Sequence, residues 1–219
     1  DKVWNIKPRS REQRIALQLL TDPAIQVVTL VGQAGSGKTL LALAAALQQV
    51  LRNAVFENIL VSRPIIPLGK DIGYLPGDKN EKLSVWMQPI YDNLDYLLHT
   101  EKRGESVKRK VDELIRTGKL ELEALTYIRG RSIPHQFVII DEAQNLTPHE
   151  VKTIVSRAGE DTKMVLTGDP EQIDNPYLDA SSNGLSYIVE RFKDLPLHGH
   201  ITLRKSERSE LAAAAAEYL

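Results

Sequence analysis

The feature that most restricts the fold of this chain is an eight-residue, glycine-rich segment between an apolar run and a run rich in alanine and leucine. Its residues are Gly32, Gln33, Ala34, Gly35, Ser36, Gly37, Lys38 and Thr39. They match the pattern G-x-x-x-x-G-K-[ST] in the strand–loop–helix context that the pattern requires. Such a loop points backbone N–H groups and the positive end of a helix dipole at one anion.

The same segment predicts a nucleotide site. All eight residues are expected to contact the nucleotide, with Lys38 reaching the β- and γ-phosphates and Thr39 binding Mg²⁺ through its hydroxyl. The alternative is a glycine-rich turn that only caps a helix. The complete pattern in the correct context favours phosphate binding.

Short β-branched apolar runs alternate with longer helical patterns, which indicates βαβ units and a mostly parallel sheet flanked by helices. Most of the apolar runs are continuous, as in strands covered on both faces. The predicted strands span residues 26–31, 58–62, 120–124, 137–141, 164–167 and 199–203. The predicted helices span residues 11–20, 38–52, 83–99, 106–117, 148–157, 185–192 and 209–219. The fold class is therefore α/β.

The length of 219 residues fits one domain, and 42% hydrophobic residues are enough for a core. Residues 63–131 open with a loop rich in proline and glycine and continue as two helical patterns, so we expect an insertion between core strands. The chain begins with Asp1 rather than methionine. We therefore expect it to be a part of a longer protein.

Two further runs place polar residues after apolar strands. The first, residues 137–145, ends its apolar part in Asp141 and Glu142. Ligands of open α/β sheets collect at the carboxyl ends of strands. Asp141 is therefore predicted to hold the Mg²⁺ shell and Glu142 to polarise the attacking water, the alternative being two solvated acids.

The second run, residues 165–172, leads from an apolar strand through Gly168 and Asp169 to Gln172. Gln172 is predicted to hydrogen-bond the γ-phosphate or the attacking water, and Asp169 to orient the loop or contact the water shell of the metal. A Gly-Asp-Pro turn without a chemical role is the alternative.

In this order, the three motifs resemble those of the superfamily 1 helicases, whose first RecA-like domain carries G-x-x-G-x-G-K-T, D-E-x-Q and G-D-x-x-Q. The chain is more closely similar to the PhoH-like family of phosphate-starvation-inducible ATPases. The residues that carry this resemblance are Lys7-Pro8-Arg9 with Gln13, Val61-Ser62-Arg63-Pro64, Leu68-Gly69 with Gly73-Tyr74-Leu75-Pro76-Gly77, Tyr127-Ile128-Arg129-Gly130-Arg131, Asp141-Glu142-Ala143-Gln144-Asn145 and Arg208-Ser209-Glu210-Leu211-Ala212. They extend over nearly the whole chain, the expected insertion included.

The resemblance implies a RecA-like P-loop ATPase that uses ATP and Mg²⁺ and acts on single-stranded RNA. It gives Gln13 the role of reading adenine and Arg208 that of an arginine finger, in cis or from a neighbouring subunit, with Arg204 as a weaker candidate. Arg63 falls where related helicases contact nucleic acid. Two RecA-like lobes do not fit in one chain of this length, so either the chain forms a ring or it does not unwind nucleic acid. The resemblance favours a homo-oligomeric ring, a hexamer as the first choice. It also implies a PIN-type ribonuclease domain in the full-length protein.

Composition limits the other choices. The formal net charge of −1 provides no general attraction for nucleic acid, so such a site must be a local patch. One candidate patch is the cluster Lys102, Arg103, Lys108, Arg109 and Lys110, which neighbouring acids dilute, with Trp86, Tyr91 and Tyr96 as aromatic candidates for base stacking. No membrane span is predicted, the absence of cysteine is compatible with the cytoplasm, and no pair of histidines has a zinc-ligand spacing.

Two other functions use the same phosphate-binding segment. A P-loop kinase would transfer phosphate to an acceptor, although an acid placed to activate water suits hydrolysis better. A nucleotide-gated binding module would bind ATP with little turnover. The sequence leaves both open as alternatives to an RNA-coupled ATPase.

Overall fold

The computed structural model describes residues 2–64, 85–99, 107–125 and 130–204, together with Ala215 and Tyr218. In these ranges six strands form one sheet in the order β3-β2-β4-β5-β1-β6. They are β1 (Val27–Gly32), β2 (Asn58–Arg63), β3 (Leu120–Ala124), β4 (Gln136–Ile140), β5 (Lys163–Gly168) and β6 (His198–Leu203). Each of the five pairings is parallel. The prediction of a RecA-like α/β fold is confirmed.

Helices cover both faces of this sheet. They are α1 (Arg11–Thr21), α2 (Lys38–Leu47), α3 (Gln88–Leu98), α4 (Val107–Arg116), α5 (Pro148–Val155) and α6 (Gly184–Phe192). Side chains of α1 to α4 share one buried cluster with alternate strand residues such as Ile59 and Val61. Side chains of α5 and α6 share a second cluster with the intervening residues such as Leu60. The strict alternation follows from the two-residue period of a strand.

Local sequence explains several helix starts. The Ser10 hydroxyl accepts a hydrogen bond from the Gln13 N–H at the start of α1. Thr147 and Glu150 form a reciprocal capping box at the start of α5, with Pro148 in the first turn where its missing N–H costs nothing. Both helices begin where the sequence predicts.

Some predicted boundaries are wrong. The helix predicted over 38–52 ends its α-helical part at Leu47 and continues as a π-helical turn, Gln48–Arg52. The helix predicted over 83–99 is interrupted at Met87, which lies in a turn: residues 85 and 86 are helical, and α3 begins at Gln88 with Pro89 in its first turn. Residues 83 and 84 lie outside the described residues. The strand predicted to end at residue 141 ends at Ile140. The helix predicted over 209–219 lies outside the described residues, apart from two single positions.

The range 63–131, predicted as an insertion, contains part of the sheet. Strand β3 lies within it and pairs in parallel with β2 along five residues, so it forms the edge of the core sheet. The described helices of this range, α3 and α4, pack on the same face as α1 and α2. In the parts of the chain that the structure describes, no helix is both long enough and apolar enough to span a membrane.

Candidate active site

The parallel arrangement brings the carboxyl ends of β1, β2, β4 and β5 to one edge of the sheet. There, β1 turns into α2 through the glycine-rich segment. Gly35 and Gly37 have φ angles of 82° and 92°, a conformation that favours glycine. A Cβ on Gly32 would lie 2.5 Å from the Ser36 Oγ and 3.0 Å from the carbonyl oxygen of Leu203. The loop is therefore too tightly wound for larger residues at these positions.

Lys38, the first residue of α2, folds back over this loop. Its side chain is largely buried, and its Nζ donates to the carbonyl oxygen of Gln33 at 3.4 Å. The Ser36 Oγ is buried without a hydrogen-bond partner among the described residues. A buried polar atom normally has a partner. The ammonium and this hydroxyl thus provide donors at the loop beside the start of a helix.

Asp141 lies against the loop rather than far from it. Its Oδ1 accepts hydrogen bonds from the Thr39 Oγ1 at 3.1 Å and from the Thr167 Oγ1 at 2.8 Å. Its Oδ2 lies 3.0 Å from the Arg63 Nε. Residues from α2, β2 and β5 thus converge on one buried carboxylate that follows β4.

Glu142 reaches the same site because the backbone turns there. Its φ and ψ of 57° and 38° are left-handed, which is uncommon for a residue with a side chain. Neighbouring residues of a regular strand would point to opposite faces, whereas this turn keeps the Glu142 carboxylate near Arg63, at 3.7 Å from the guanidinium. The carboxylate also accepts a hydrogen bond from the Gln144 Nε2 at 2.6 Å.

The environment of Glu142 favours its protonated form. Burial, and then the neighbouring Asp141 charge, raise the pKa of the Glu142 carboxyl above its ordinary value of 4.5. The Gln144 hydrogen bond and the charges of Arg63 and Lys38 oppose this rise. A carboxylate with a raised pKa is a better proton acceptor than a free one, as a general base requires.

This pKa shift predicts a pH-dependent stability difference. Because the folded state holds the Glu142 proton more tightly than the unfolded state, stability falls as pH rises from 4.5 through the folded pKa. Glu142→Gln removes this loss. Without nucleotide, the variant is expected to melt above the parent at neutral pH, the difference shrinking towards about pH 4.5. Thermal melts at several pH values measure it, and a difference independent of pH would contradict the assignment.

Gln144 and Asn145 attach the loop after β5 to the acidic turn. The Gln144 Oε1 accepts from the Asp169 N–H at 3.2 Å, and its Nε2 also donates to the Gln172 carbonyl oxygen at 3.2 Å. A Cβ on Gly168 would lie 2.3 Å from the Gln144 Oε1, so only glycine allows this approach. The Asn145 Oδ1 accepts from the N–H groups of residues 174 and 175.

The predicted site residues are distributed as follows. Thr39, Lys38 and the rest of the glycine-rich segment lie together with Asp141 and Glu142 at the sheet edge. Gln13 is buried next to the loop, where its Nε2 donates to the Ser36 carbonyl oxygen at 3.4 Å and its Oε1 accepts from the Arg9 N–H at 2.8 Å. Gln172 has an exposed side chain. Arg208 lies outside the described residues, and Arg204 is exposed after β6.

The contacts of four further residues at this site were not predicted from the sequence. Arg63 was expected to face nucleic acid and instead contacts Asp141. Thr167, Gln144 and Asn145 make the hydrogen bonds described above. Their signal in the sequence was their place at or just beyond the ends of adjacent strands, which the topology brings together.

The residues present fit a magnesium ion. A threonine hydroxyl and a carboxylate lie within hydrogen-bond distance at the mouth of a phosphate-binding loop, and oxygen ligands of this kind are those that Mg²⁺ prefers. Among the described residues no group of three or more His, Cys, Asp or Glu side chains could hold a metal ion. Thr39 and Asp141 would supply two oxygen ligands, and Mg²⁺ commonly takes others from phosphates and water.

The fold and this edge of the sheet define a P-loop NTPase. Residues 5–218 match the family described as PhoH-like protein. The chain belongs to the PhoH-like family.

Curated relatives extend this result. The chain is 56% identical over 220 residues to Protein PhoH2 of Bacillus subtilis, covering 100% of this chain and 49% of the relative. It is 41% identical over 219 residues to Protein PhoH2 of Mycolicibacterium smegmatis, covering 100% of this chain and 48% of the relative. The chain thus spans about half the length of these curated relatives.

Among solved structures, the chain is similar to the Sulfolobus solfataricus SWI2/SNF2 ATPase core in complex with dsDNA. The TM-score is 0.49 with 15% identity, covering 92% of this chain and 46% of that chain. A similarity at this level supports no conclusion about function.

Proposed function

We propose that this chain hydrolyses ATP with Mg²⁺ and couples hydrolysis to the binding or remodelling of single-stranded RNA. One observation carries the ATPase part: the Thr39 hydroxyl and the Asp141 carboxylate meet at 3.1 Å beside the glycine-rich loop, with the Glu142 carboxylate turned towards the same site. The RNA part rests on the resemblance to helicases.

In the proposed mechanism, backbone N–H groups of the loop and the Lys38 ammonium bind the β- and γ-phosphates. Thr39 and Asp141 would hold Mg²⁺, which when bound neutralises charge between the phosphates. Glu142 orients a water molecule and accepts its proton as the water oxygen attacks the γ-phosphorus. The bond to the β-phosphate oxygen breaks, and the products are ADP and inorganic phosphate.

Gln144 keeps this base in place. Its amide donates to Glu142 while its carbonyl accepts from the Asp169 N–H, so its orientation is fixed at both ends. The loop that carries Gln172 is attached through the same side chain. We propose that Gln172 approaches the γ-phosphate from this loop when nucleotide is bound.

A cleft of about 430 Å³ beside the loop is the proposed adenine site. Gln13, Leu40 and Tyr96 are among its lining residues. The Gln13 amide can read the hydrogen-bonding edge of adenine, and the exposed Tyr96 ring of α3 offers a stacking surface. The same cleft borders Gly37 of the phosphate-binding loop, as an adenine site next to the phosphates requires.

Tyr96→Ala tests this base site. Loss of one base–aromatic stack is expected to weaken ATP binding by about 1–3 kcal/mol, or roughly fivefold to 150-fold, without preventing binding. Titration with a fluorescent ATP analogue measures the affinity. Tyr187→Ala, which alters an exposed tyrosine on α6, serves as the control and should bind like the parent. Equal affinity of the Tyr96 variant and the parent would place the base elsewhere.

Only part of the basic cluster predicted to bind RNA lies among the described residues. Lys108 and Arg109 are exposed on α4. Lys110 is half-buried, and its Nζ donates to the Leu98 carbonyl oxygen. The other two residues of the cluster predicted from sequence, Lys102 and Arg103, lie outside the described residues. We therefore propose α4 as one part of an RNA surface.

The test is the steady-state ATPase rate with single-stranded RNA, single-stranded DNA or duplex RNA, at two salt concentrations. Single-stranded RNA is expected to stimulate hydrolysis most, and higher salt should weaken the stimulation, because contacts to phosphates release counterions. A rate unchanged by any nucleic acid would refute the coupling to RNA while leaving the ATPase intact.

We further propose that the 219 residues act as one ATPase domain, located in the cytoplasm, within a longer protein that also carries a PIN-type ribonuclease domain. Because the RecA-like lobes of the helicases that this chain resembles work in pairs, we propose that nucleotide lies between subunits of a ring, with a hexamer as the proposed state. Arg208 would then act on the neighbouring subunit's nucleotide. Gel filtration with light scattering that shows a fully active monomer would exclude the ring.

A further inference from the structure

Arg63, the last residue of β2, contacts both acids of the site. Its Nε lies 3.0 Å from the Asp141 Oδ2, and its guanidinium lies 3.7 Å from the Glu142 Oε1. The side chain is only 15% exposed, so these contacts are shielded from solvent. The register explains the reach, since the Asp141 N–H bonds the Ser62 carbonyl oxygen and continues the β2–β4 ladder beyond its last pair.

The other side of the same guanidinium contacts Trp86. Its NH1 donates to the Trp86 carbonyl oxygen at 2.7 Å, and its carbon lies 5.6 Å from the centre of the indole ring. Trp86 directly precedes Met87 and α3, and Met87 and Ile90 are fully buried against α2 and its neighbours. One arginine therefore joins the two acids of the site to the chain that enters α3.

This arrangement sets up a competition between cations. In the structure, the Arg63 guanidinium is the positive group next to the Asp141 Oδ2, while Thr39 and Thr167 donate to the Oδ1. A Mg²⁺ ion held with nucleotide at the same acids would repel the guanidinium and weaken its hold on them. Because the guanidinium also holds Trp86, its displacement changes the surroundings of the indole.

We propose that Arg63 is a positioning residue that couples nucleotide occupancy to Trp86 and the start of α3. Without nucleotide it neutralises and orients the two acids. With nucleotide it withdraws from them, and Trp86 loses its contacts with the guanidinium. This inference rests on the proposed function, since it requires magnesium–nucleotide to bind at Asp141.

The chain contains two tryptophans, which makes the coupling observable. Labelling with 5-fluorotryptophan gives two ¹⁹F resonances, and Trp86→Phe identifies the one from Trp86. Saturation with Mg²⁺ and a non-hydrolysable ATP analogue is expected to shift this resonance in the parent. In Arg63→Gln the shift should be lost although nucleotide still binds. Arg63→Lys keeps the charge and should retain part of the shift.

The Mg²⁺ dependence of nucleotide binding gives a second readout, in which Arg63→Gln is expected to bind more readily than the parent. Because Arg63→Gln removes the competing cation, the Mg²⁺ concentration needed for half-maximal nucleotide binding is expected to fall by about tenfold, an amount typical of one charge-assisted hydrogen bond. A residue with only a structural role would leave it unchanged or raise it. Arg131→Gln is the matched control, because it breaks an arginine–carboxylate pair, to Glu121 at 2.9 Å, at the β3 edge of the sheet.

The outcomes are separable. Nucleotide binding with an unshifted Trp86 resonance in the parent, or with the same shift in Arg63→Gln, would overturn the coupling and leave the proposed ATPase standing. A requirement for Mg²⁺ that rises in Arg63→Gln would also overturn it. Absence of nucleotide binding to the parent would overturn both the coupling and the proposed function.

Discussion

Replacing Lys38 with alanine is expected to weaken ATP binding by about 2–5 kcal/mol, or roughly 30-fold to several thousand-fold. The ammonium is largely buried, and its Nζ donates at 3.4 Å to the carbonyl oxygen of Gln33 within the phosphate-binding loop. Lys38 is the only lysine or arginine in α2, so no other side chain of this helix can replace its charge next to the phosphates. Calorimetric titration with ATP and Mg²⁺ measures the loss.

Lys119→Ala is a suitable control for that experiment. Lys119 is exposed before β3, at the amino end of a strand and away from the loop, and donates to the Glu57 carbonyl oxygen. The Lys119→Ala substitution removes one positive charge, as Lys38→Ala does, but leaves the site unchanged, so ATP affinity should stay at the parent value. Parent-like affinity in Lys38→Ala, with an unchanged melting temperature, would show that the phosphates bind elsewhere.

Replacing Glu142 with glutamine is expected to separate binding from hydrolysis. The turnover rate should fall by about 10²- to 10⁴-fold, the usual contribution of a general base, while ATP affinity stays within a few-fold of the parent. The amide retains the size of the side chain but cannot accept the proton of the attacking water. Single-turnover hydrolysis, combined with a nucleotide-binding titration on the same sample, gives both quantities.

Glu171→Gln removes a carboxylate from the exposed loop after β5, on the same edge of the sheet, and provides the comparison. It should hydrolyse ATP at close to the parent rate. If Glu142→Gln turned over as fast as Glu171→Gln, Glu142 would not be the base. If both variants lost activity equally, the effect would be one of general charge rather than of proton transfer.

The parts of the fold that follow from local pattern could be predicted from the sequence. Apolar runs, most of them continuous, predicted all six strands to within about one residue at each end, because strands covered on both faces allow few polar positions. The glycine-rich segment was predicted in its strand–loop–helix context because its positive φ angles require glycine at defined places. The starts of α1 and α5 were predicted at the observed residues, where the hydroxyls of Ser10 and Thr147 accept hydrogen bonds from N–H groups of the first turn.

Details that depend on contacts between distant residues could not be predicted. Nothing in the sequence around Glu142 indicates its left-handed backbone conformation. This turn occurs together with hydrogen bonds from Gln144 to the loop after β5, which is distant in sequence. Arg63 precedes Asp141 by 78 residues, and only the β2–β4 register brings them together. The π-helical end of α2 likewise has no sequence signal of its own.

The most direct test of the proposed ATPase is a single-turnover assay with γ-³²P-labelled ATP, excess protein, Mg²⁺ and single-stranded RNA. We expect the label to appear as inorganic phosphate, in amounts that approach the ATP supplied, and to remain in ATP when EDTA replaces Mg²⁺. Label that stays in bound ATP despite Mg²⁺, or that moves to an acceptor instead of water, would contradict hydrolysis at this site.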